Sequence, residues 1–306
     1  MIDKHLFDKT RNDEFKELNH NQLYKLIKNK KIEFYDSLDI DSKMTFGLEI
    51  ECEGINTNKL GKFIVINDFN WDLKDDKSLE KGVEIISPVL KDNPDSWQDL
   101  KIICDYIKRK GANVHKNAGG HIHVGAHTLS YDVNNWINFL IFYSLYEDVI
   151  YKFCYGDSGK PRKHIKLYAK PISDILKYRI LSNKIYDIGD LQRPLQLLGK
   201  HKGINFENIM FDDITNNKDK NTIEFRFPNS SKRKETWQNN VNMITKLVMH
   251  SILETDQEYL FWLLKNKREY YSSDYVKPNF ERAIYFVDEI FDNNLDKTNF
   301  LKQYIK

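Results

Sequence analysis

Two histidines one residue apart, in "NAGGHIHVGAHTLS" from Asn117 to Ser130, are the side chains of this sequence best placed to do chemistry. His121 and His123 follow the pair Gly119–Gly120 and sit among β-branched neighbours, so the segment reads as a strand. Side chains at i and i+2 of a strand leave one face, roughly 6.6 Å apart. Both imidazoles then point the same way, as metal ligands or proton carriers would. Carboxylates recur with the same spacing. "MTFGLEIECEG" sets Glu49, Glu51 and Glu53 on one side and Phe46, Leu48, Ile50 and Cys52 on the other. "TIEFRF" sets Glu224 and Arg226 opposite Ile223, Phe225 and Phe227. "DDKSLEKGVEIISP" adds Glu84 between Val83 and Ile85, with Asp76 eight residues earlier in a polar turn. Any one pair could simply face water. Four strands that each bury aliphatic groups and present carboxylate, imidazole or guanidinium predict a shared site, because solvated faces mix in Lys, Thr and Ser.

Carboxylates, imidazoles and one Arg together suit hard divalent cations bound with phosphates. Magnesium wants oxygen ligands in a near-octahedral array, and carboxylates at i and i+2 can serve two ions about 4 Å apart. No cysteine–histidine set for structural zinc is present. Arg226 would offer a planar fork to a phosphoryl group or a substrate carboxylate. Neither a "GxxxxGK[ST]" nor a "GxGxxG" loop occurs, so a nucleotide would be held by metals and basic side chains on a sheet.

The elements that must position these groups follow from periodicity. "NDEFKELNHNQLYKLIKNKK" predicts an N-terminal helix, and "KFIVIND" and "GVEIISP" predict strands, the second closed by Pro88. "PDSWQDLKIICDYIKRKGA" predicts a helix with Gly111 just past its basic end. Trp136 to Phe153 is long enough to consider as a membrane span, but Glu147 and Asp148 inside it favour a buried amphipathic core helix. "PRKHIKLYAKPISDILKYRILSN" and "DIGDLQRPLQLLGK" read as loop, helix, turn and helix, and the pattern is helical from about Lys234 onward. Strand spacing is too irregular for a doubly wound series, and half-polar strands favour an antiparallel sheet. The expected class is α+β. Three regions are expected: a helical extension over 1–43, a catalytic core over 44–232, and a helical region over 233–306 packed on that core.

Composition narrows the partners. Of the 306 residues 30% are charged, yet the formal net charge is +2, so no polyanion-binding footprint is present. The runs Lys28–Lys31 and Lys232–Lys234 read as solvated faces. Neither nucleic acid nor a membrane is an expected partner. Three cysteines without C-x-x-C spacing fit a reducing cytoplasm, and "MIDKHLFDKTRNDEF" has no apolar signal region. The Asn/Lys/Ile-rich content suits an AT-rich bacterial or phage genome.

In order, "FGLEIE", "DKSLEKGVEIISPVL", "GGHIHV" and "GKHKGIN....TIEFRF" resemble the motifs of the amidoligase family, within the glutamine synthetase and glutamate-cysteine ligase superfamily of carboxylate-amine ligases. The resemblance covers about Met44 to Pro228. It implies a glutamine synthetase-like curved antiparallel sheet with flanking helices, carrying two or three Mg2+ ions (Mn2+ as a substitute), and an ATP-dependent ligase that forms an amide through an acyl phosphate. By position, Glu49 and Glu51 match the family's Glu-x-Glu pair, each on a different ion, and Asp76 and Glu84 complete the substrate-side ion. His121 matches the metal-binding histidine and His123 the one that approaches phosphates or substrate. Glu224 matches the nucleotide-side carboxylate, and Arg226 the arginine on the phosphoryl group. Glu84, His123 and Arg226 are thus the catalytic candidates. Lys200, Lys202 and Asn205 stand where phosphate or substrate contacts are expected, although His201 replaces a frequent aromatic and a basic loop in water competes as a reading. Gly119 and Gly120 would let backbone pass close to a ligand, though an ordinary turn explains a glycine pair equally well. Glu53 lies beyond the pair, and Arg162 and His164 are expected to face solvent. His127 would sit ~13 Å further along an extended strand than His123, too far for the same ion.

The implied partners are a small-molecule or peptide carboxylate and an amine. Competing readings are a metal-dependent hydrolase built on His121-x-His123, a cupin-type oxygenase, and a protein that binds nucleotide without turnover. The first lacks further histidines and an aspartate on later strands of a βα series. The second lacks a Glu after the histidine pair, where the sequence has His127.

Overall fold

The computed structural model describes residues 18–306 apart from 77–78, 80–81, 115–116, 183–184, 218–219, 254, 267–274 and 276–278. Six strands form one open sheet in the order β2-β3-β1-β4-β6-β5, every neighbouring pair antiparallel. They are β1 (Phe46–Glu53), β2 (Asp72–Asp76), β3 (Gly82–Ile86), β4 (Gly120–Gly125), β5 (Ile204–Asn205) and β6 (Thr222–Phe225). Eleven helices accompany them among the described residues: α1 (His20–Asn29), α2 (Thr57–Ile66), α3 (Pro94–Arg109), α4 (Val133–Cys154), α5 (Ile165–Tyr168), α6 (Ser173–Ser182), α7 (Ile188–Gln196), α8 (Lys234–His250), α9 (Gln257–Asn266), α10 (Phe280–Ile290) and α11 (Asn294–Tyr304). The class is α+β.

Strict alternation divides the sheet into two faces. Leu48, Ile50, Val83, Ile85, Ile122, Val124, Ile223 and Phe225 are all buried on one of them. Helices α3, α4 and α8 cover that face: Trp97 stacks on Phe46 at 5.2 Å, and Phe139 meets Phe225 edge-on at 6.1 Å. Trp237 of α8 fills the space left by Gly120, where a Cβ would lie 2.1 Å from its Cη2. A single cluster of buried apolar side chains runs from Leu23 to Tyr304, so the terminal helices share the core under the sheet. Helix α1 packs on α10 and α11, and α11 on α4 and α8. The part of the expected N-terminal helix before residue 18 lies outside the described residues.

Several elements depart from the sequence expectation. "KFIVIND" is not a strand but the end of α2, capped by the Asn56 side chain, with Leu60 and Ile64 buried one turn apart. Phe63 stacks on Tyr106 of α3 at 4.0 Å, and this packing outweighs the β propensity of the β-branched run Ile64–Ile66. Asp76 is not in a turn. It ends β2, whose single apolar residue, Leu73, left no alternation to detect, and which pairs with β3 at the edge. Helix α4 is buried around its circumference rather than on one side. Its acids are satisfied inside: Glu147 accepts from Tyr143 Oη, Ile172 N, Ser173 N and Tyr275 Oη, and Asp148 pairs with Arg282 at 3.0 Å. Among the described residues no helix is long and apolar enough to cross a membrane.

Candidate active site

The register of the sheet decides which polar residues meet. Glu51 on β1 is level with Glu84 on β3, and Glu84 with Lys74 on β2. Glu49 is level with His121 on β4. One rung further, Gly47, His123, Glu224 and Asn205 stand in a row across β1, β4, β6 and β5. Arg226 follows Glu224 by two residues and shares its face. Glutamates from three strands thus surround the two histidines.

These groups are withdrawn from bulk water. Glu51, Glu84, His121, His123, Asn205 and Glu224 are all buried, and Glu49 is nearly so. All but His123 line a cleft of about 450 Å³ with Arg162, Arg226, Lys200 and Asp76 on its walls, and His123 lines the adjoining cavity. His121 Nδ1 lies 2.6 Å from Glu49 Oε2, 3.5 Å from Glu224 Oε1 and 3.8 Å from Glu84 Oε1, while its Nε2 is 3.4 Å from Glu51 Oε1. His123 Nε2 reaches the other oxygen of Glu49 at 3.1 Å, and its Nδ1 lies 3.0 Å from Thr222 Oγ1. Arg226 Nη1 donates to Glu224 Oε1, and Asn205 Nδ2 donates to Glu224 Oε2 at 2.7 Å.

Two sets of three residues could each hold a metal ion. Glu49, Glu84 and His121 bring one ligand atom apiece within 4.8 Å of one another, and so do Glu49, His123 and Glu224. Glu49 belongs to both. Two carboxylates and one imidazole per set fit a hard divalent cation, with room for waters or phosphate oxygens.

The sequence model of a family described as "Putative amidoligase enzyme" matches residues 39–248, about two thirds of the chain. The chain belongs to the amidoligase family. The match takes in the whole sheet and all but the last two residues of α8, whose Trp237 supports β4. No curated protein sequence matches the chain.

The acidic face carries its own compensation. Burial would raise the Glu49 carboxyl, but hydrogen bonds and charge from His121 and His123 hold it well below the usual range. Burial likewise opposes charging of His121, yet Glu49 and Glu51 outweigh it and raise the imidazole pKa. An imidazolium at that point neutralises part of the carboxylate cluster when no metal does. Glu224 is pulled down against its burial by His121, Arg226 and His123. Glu84 goes the other way: burial and the charge of Glu49 push it up to about 7.

Not every expected residue faces the cleft in the same way. Glu51 and Asp76 line it but belong to neither three-residue set, and Glu51 Oε2 accepts the backbone N–H of Gly119. Lys200 lines it from an exposed position, and Asn205 enters through Glu224. Lys202 is not among the lining residues; burial, Lys170 and Arg179 depress its pKa. Glu53 turns to Asn117, and His127 lies in a 3-10 turn where Nε2 meets Lys43 O at 3.0 Å.

Two expectations are corrected. Arg162 is buried, not solvent-facing: its guanidinium donates to the carbonyls of Arg226, Phe227 and Pro228 at 2.7, 3.3 and 2.7 Å. The glycine pair makes room for protein side chains, since a Cβ on Gly119 would lie 2.9 Å from Arg162 Cζ, as one on Gly120 would strike Trp237. Thr222, Lys74 and Tyr168 also reach the cleft or its histidines without having been singled out. For two of them a signal existed: Lys74 stands two residues from both Asp72 and Asp76, and Thr222 two residues before Glu224.

Proposed function

We propose that this amidoligase-family chain is an ATP-dependent carboxylate-amine ligase built on a glutamine synthetase-like sheet. One observation carries the reading: Glu49, Glu84, Glu224, His121 and His123, from four strands, form two cation-ready sets sharing Glu49, beside Arg226 in the same cleft as Glu49, Glu84, His121 and Glu224. Bound Mg2+ or Mn2+ would neutralise phosphate oxygens and polarise the phosphoryl group in transfer. Glu49, Glu84 and His121 would hold one ion, and Glu49, Glu224 and His123 the other.

The protein's own share is positioning and charge. Arg226, fixed by Glu224 on one side and by the Arg162-bound backbone on the other, holds its fork toward the transferring group. A substrate carboxylate oxygen attacks the γ-phosphorus of ATP, and the bond to the ADP oxygen breaks. The amine then attacks the acyl carbon, forming the amide and expelling phosphate. Low exposure of the cleft floor keeps water from competing for the acyl phosphate. The partners on this reading are a small or peptide carboxylate and an amine, and the regions 1–43 and 233–306 are additions around a catalytic core over 44–232.

The test is ADP release in the presence of Mg2+ and candidate substrates. A ligase needs both a carboxylate and an amine, and Glu84→Ala should abolish the release while circular dichroism stays unchanged. Metal-dependent cleavage of an amide without ATP would favour the hydrolase reading, and tight Mg·ATP binding without turnover the non-catalytic one.

A further inference from the structure

The near-neutral total of the chain conceals a local excess of positive charge. From Lys160 to Lys202 eleven Lys and Arg stand against three acids, so the rest of the sequence is net acidic. All three acids serve helix starts. Asp174 lies in the first turn of α6, and Asp187 and Asp190 form the capping box of α7. Glu207, just past β5, lines the cleft. Among the described residues none of these four carboxylates makes an ion pair with Lys170, Lys200 or Lys202.

The fold brings the two ends of this basic segment together beside the cleft. Lys170 N donates to His201 O at 3.1 Å and Gly203 N donates to Lys170 O at 2.8 Å, a parallel bridge that sets Lys170 next to Lys202. The ring of Tyr168 stands 6.3 Å from that of His164 and 6.0 Å from that of His201, and these three line the cleft together with Lys200. Lys170 and Lys202 lie beyond that wall, outside the cleft lining. Lys170 and Lys200 are exposed and Lys202 partly so. Cations therefore continue outward from Arg226 and Arg162 in the cleft, over Lys200 in its wall, to Lys202 and Lys170 outside.

Two ammonium groups on adjacent paired residues repel each other. Burial, Lys170 and Arg179 all disfavour the charged form of Lys202. A ligand with several negative charges would relieve that repulsion. A triphosphate held at the two metal-ready sets stays inside the cleft and does not reach the outer pair. A nucleic acid offers no carboxyl group for a ligase to activate.

Resting on the ligase reading, we propose that the acyl substrate is an acidic peptide, whose reacting carboxyl group enters the cleft toward Arg226 while neighbouring acidic residues lie across His201 on Lys200, Lys202 and Lys170. Successive residues of an extended peptide advance about 3.4 Å, so a run of a few acidic residues spans the wall from inside to outside. The basic track would also steer such a substrate to the cleft mouth.

The experiment uses the full chain with Mg2+ and a non-hydrolysable ATP analogue, and fluorescence anisotropy with labelled hexaglutamate, hexaglutamine and a hexathymidylate. Hexaglutamate should bind at least tenfold more tightly than hexaglutamine, and raising NaCl from about 0.1 M to about 0.5 M should weaken it. Lys170→Glu, an exposed change that leaves the bridging backbone intact, should keep the circular dichroism spectrum and the nucleotide affinity and lose about fivefold in hexaglutamate affinity. Adding Lys202→Glu should extend the loss to tenfold or more. A crystal of the same complex should show one carboxyl group of the peptide beside Arg226. Equal binding of hexaglutamate and hexaglutamine, tighter binding of hexathymidylate, or unchanged affinity in the double variant overturns this proposal alone, as does a peptide bound with no carboxyl group in the cleft. Hexaglutamate binding without any Mg2+-dependent nucleotide binding sinks the ligase reading, and the peptide's role as acyl substrate with it.

Discussion

Glu49 offers one carboxylate oxygen to His121 at 2.6 Å and the other to His123 at 3.1 Å. A single side chain therefore joins both candidate metal sets, and neither set survives its removal. Glu49→Ala should lower the number of Mg2+ or Mn2+ ions bound per chain from two to none at concentrations that saturate the wild type. Ligase turnover should fall by ~10³-fold or more, since two interactions with the transition state are lost together. Isothermal titration with the metal alone counts the ions, and an unchanged circular dichroism spectrum separates this outcome from a variant that merely misfolds. Retention of one ion would show that the sets are independent.

Cation binding should compete with protons at Glu84. Its carboxyl is pushed up to about 7 by burial and by Glu49, above the ordinary value of 4.5, so the metal-free protein keeps it protonated in weak acid. The stabilisation from that proton is fully present below 4.5 and is lost as pH rises through about 7. A divalent ion needs the charged form, so affinity should climb with pH up to about 7 and then level, with proton release on binding. Titrations in buffers of different ionisation enthalpy measure the released protons. Glu84→Gln should bind metal weakly and with a flatter pH profile.

Arg162 should matter although it is walled off from water. Its guanidinium serves three backbone carbonyls at the exit of β6 and fills the space over Gly119. Arg162→Met would leave those acceptors without a donor, and the expected cost is about 2 kcal/mol or more by denaturant unfolding. Arg162→Lys, with one ammonium in place of a fork, should recover only part of it. In both variants Arg226 loses the anchor of its own carbonyl, so kcat should fall more than the stability loss explains at temperatures where the chain is fully folded.

Gly120→Ala should destabilise the chain by about 1–3 kcal/mol, the usual range for forcing extra volume into a packed core. The added methyl strikes the indole of Trp237. Combining it with Trp237→Phe should cost less than the sum of the two single changes. Additive costs would show that the close approach carries no energy.

Much of the site could be read directly from alternation. In "LEIE", "HIHV" and "TIEFRF" every second residue is polar, and a strand turns that period into a shared face whatever surrounds it. The same alternation implied an antiparallel α+β sheet, as observed. Local pattern failed where burial or pairing supplied the missing information. "DLKDD" becomes a strand because β3 offers it a partner, and "KFIVI" a helix because α3 offers Phe63 an aromatic to stack on.

The residue types on the acidic face and their spacing along each strand were set by the sequence by itself, because side-chain direction in a strand depends only on the backbone. Which carboxylate meets which histidine was decided by the tertiary structure, since register couples residues as far apart as Glu49 and Glu224. It also placed Arg162 inside, where three carbonyls replace the water that a lone basic residue would seek. And it moved Lys202 out of the cleft that Asn205, three residues on, looks into. Charge and period are local properties of a chain. Burial and partnership belong to the packed whole.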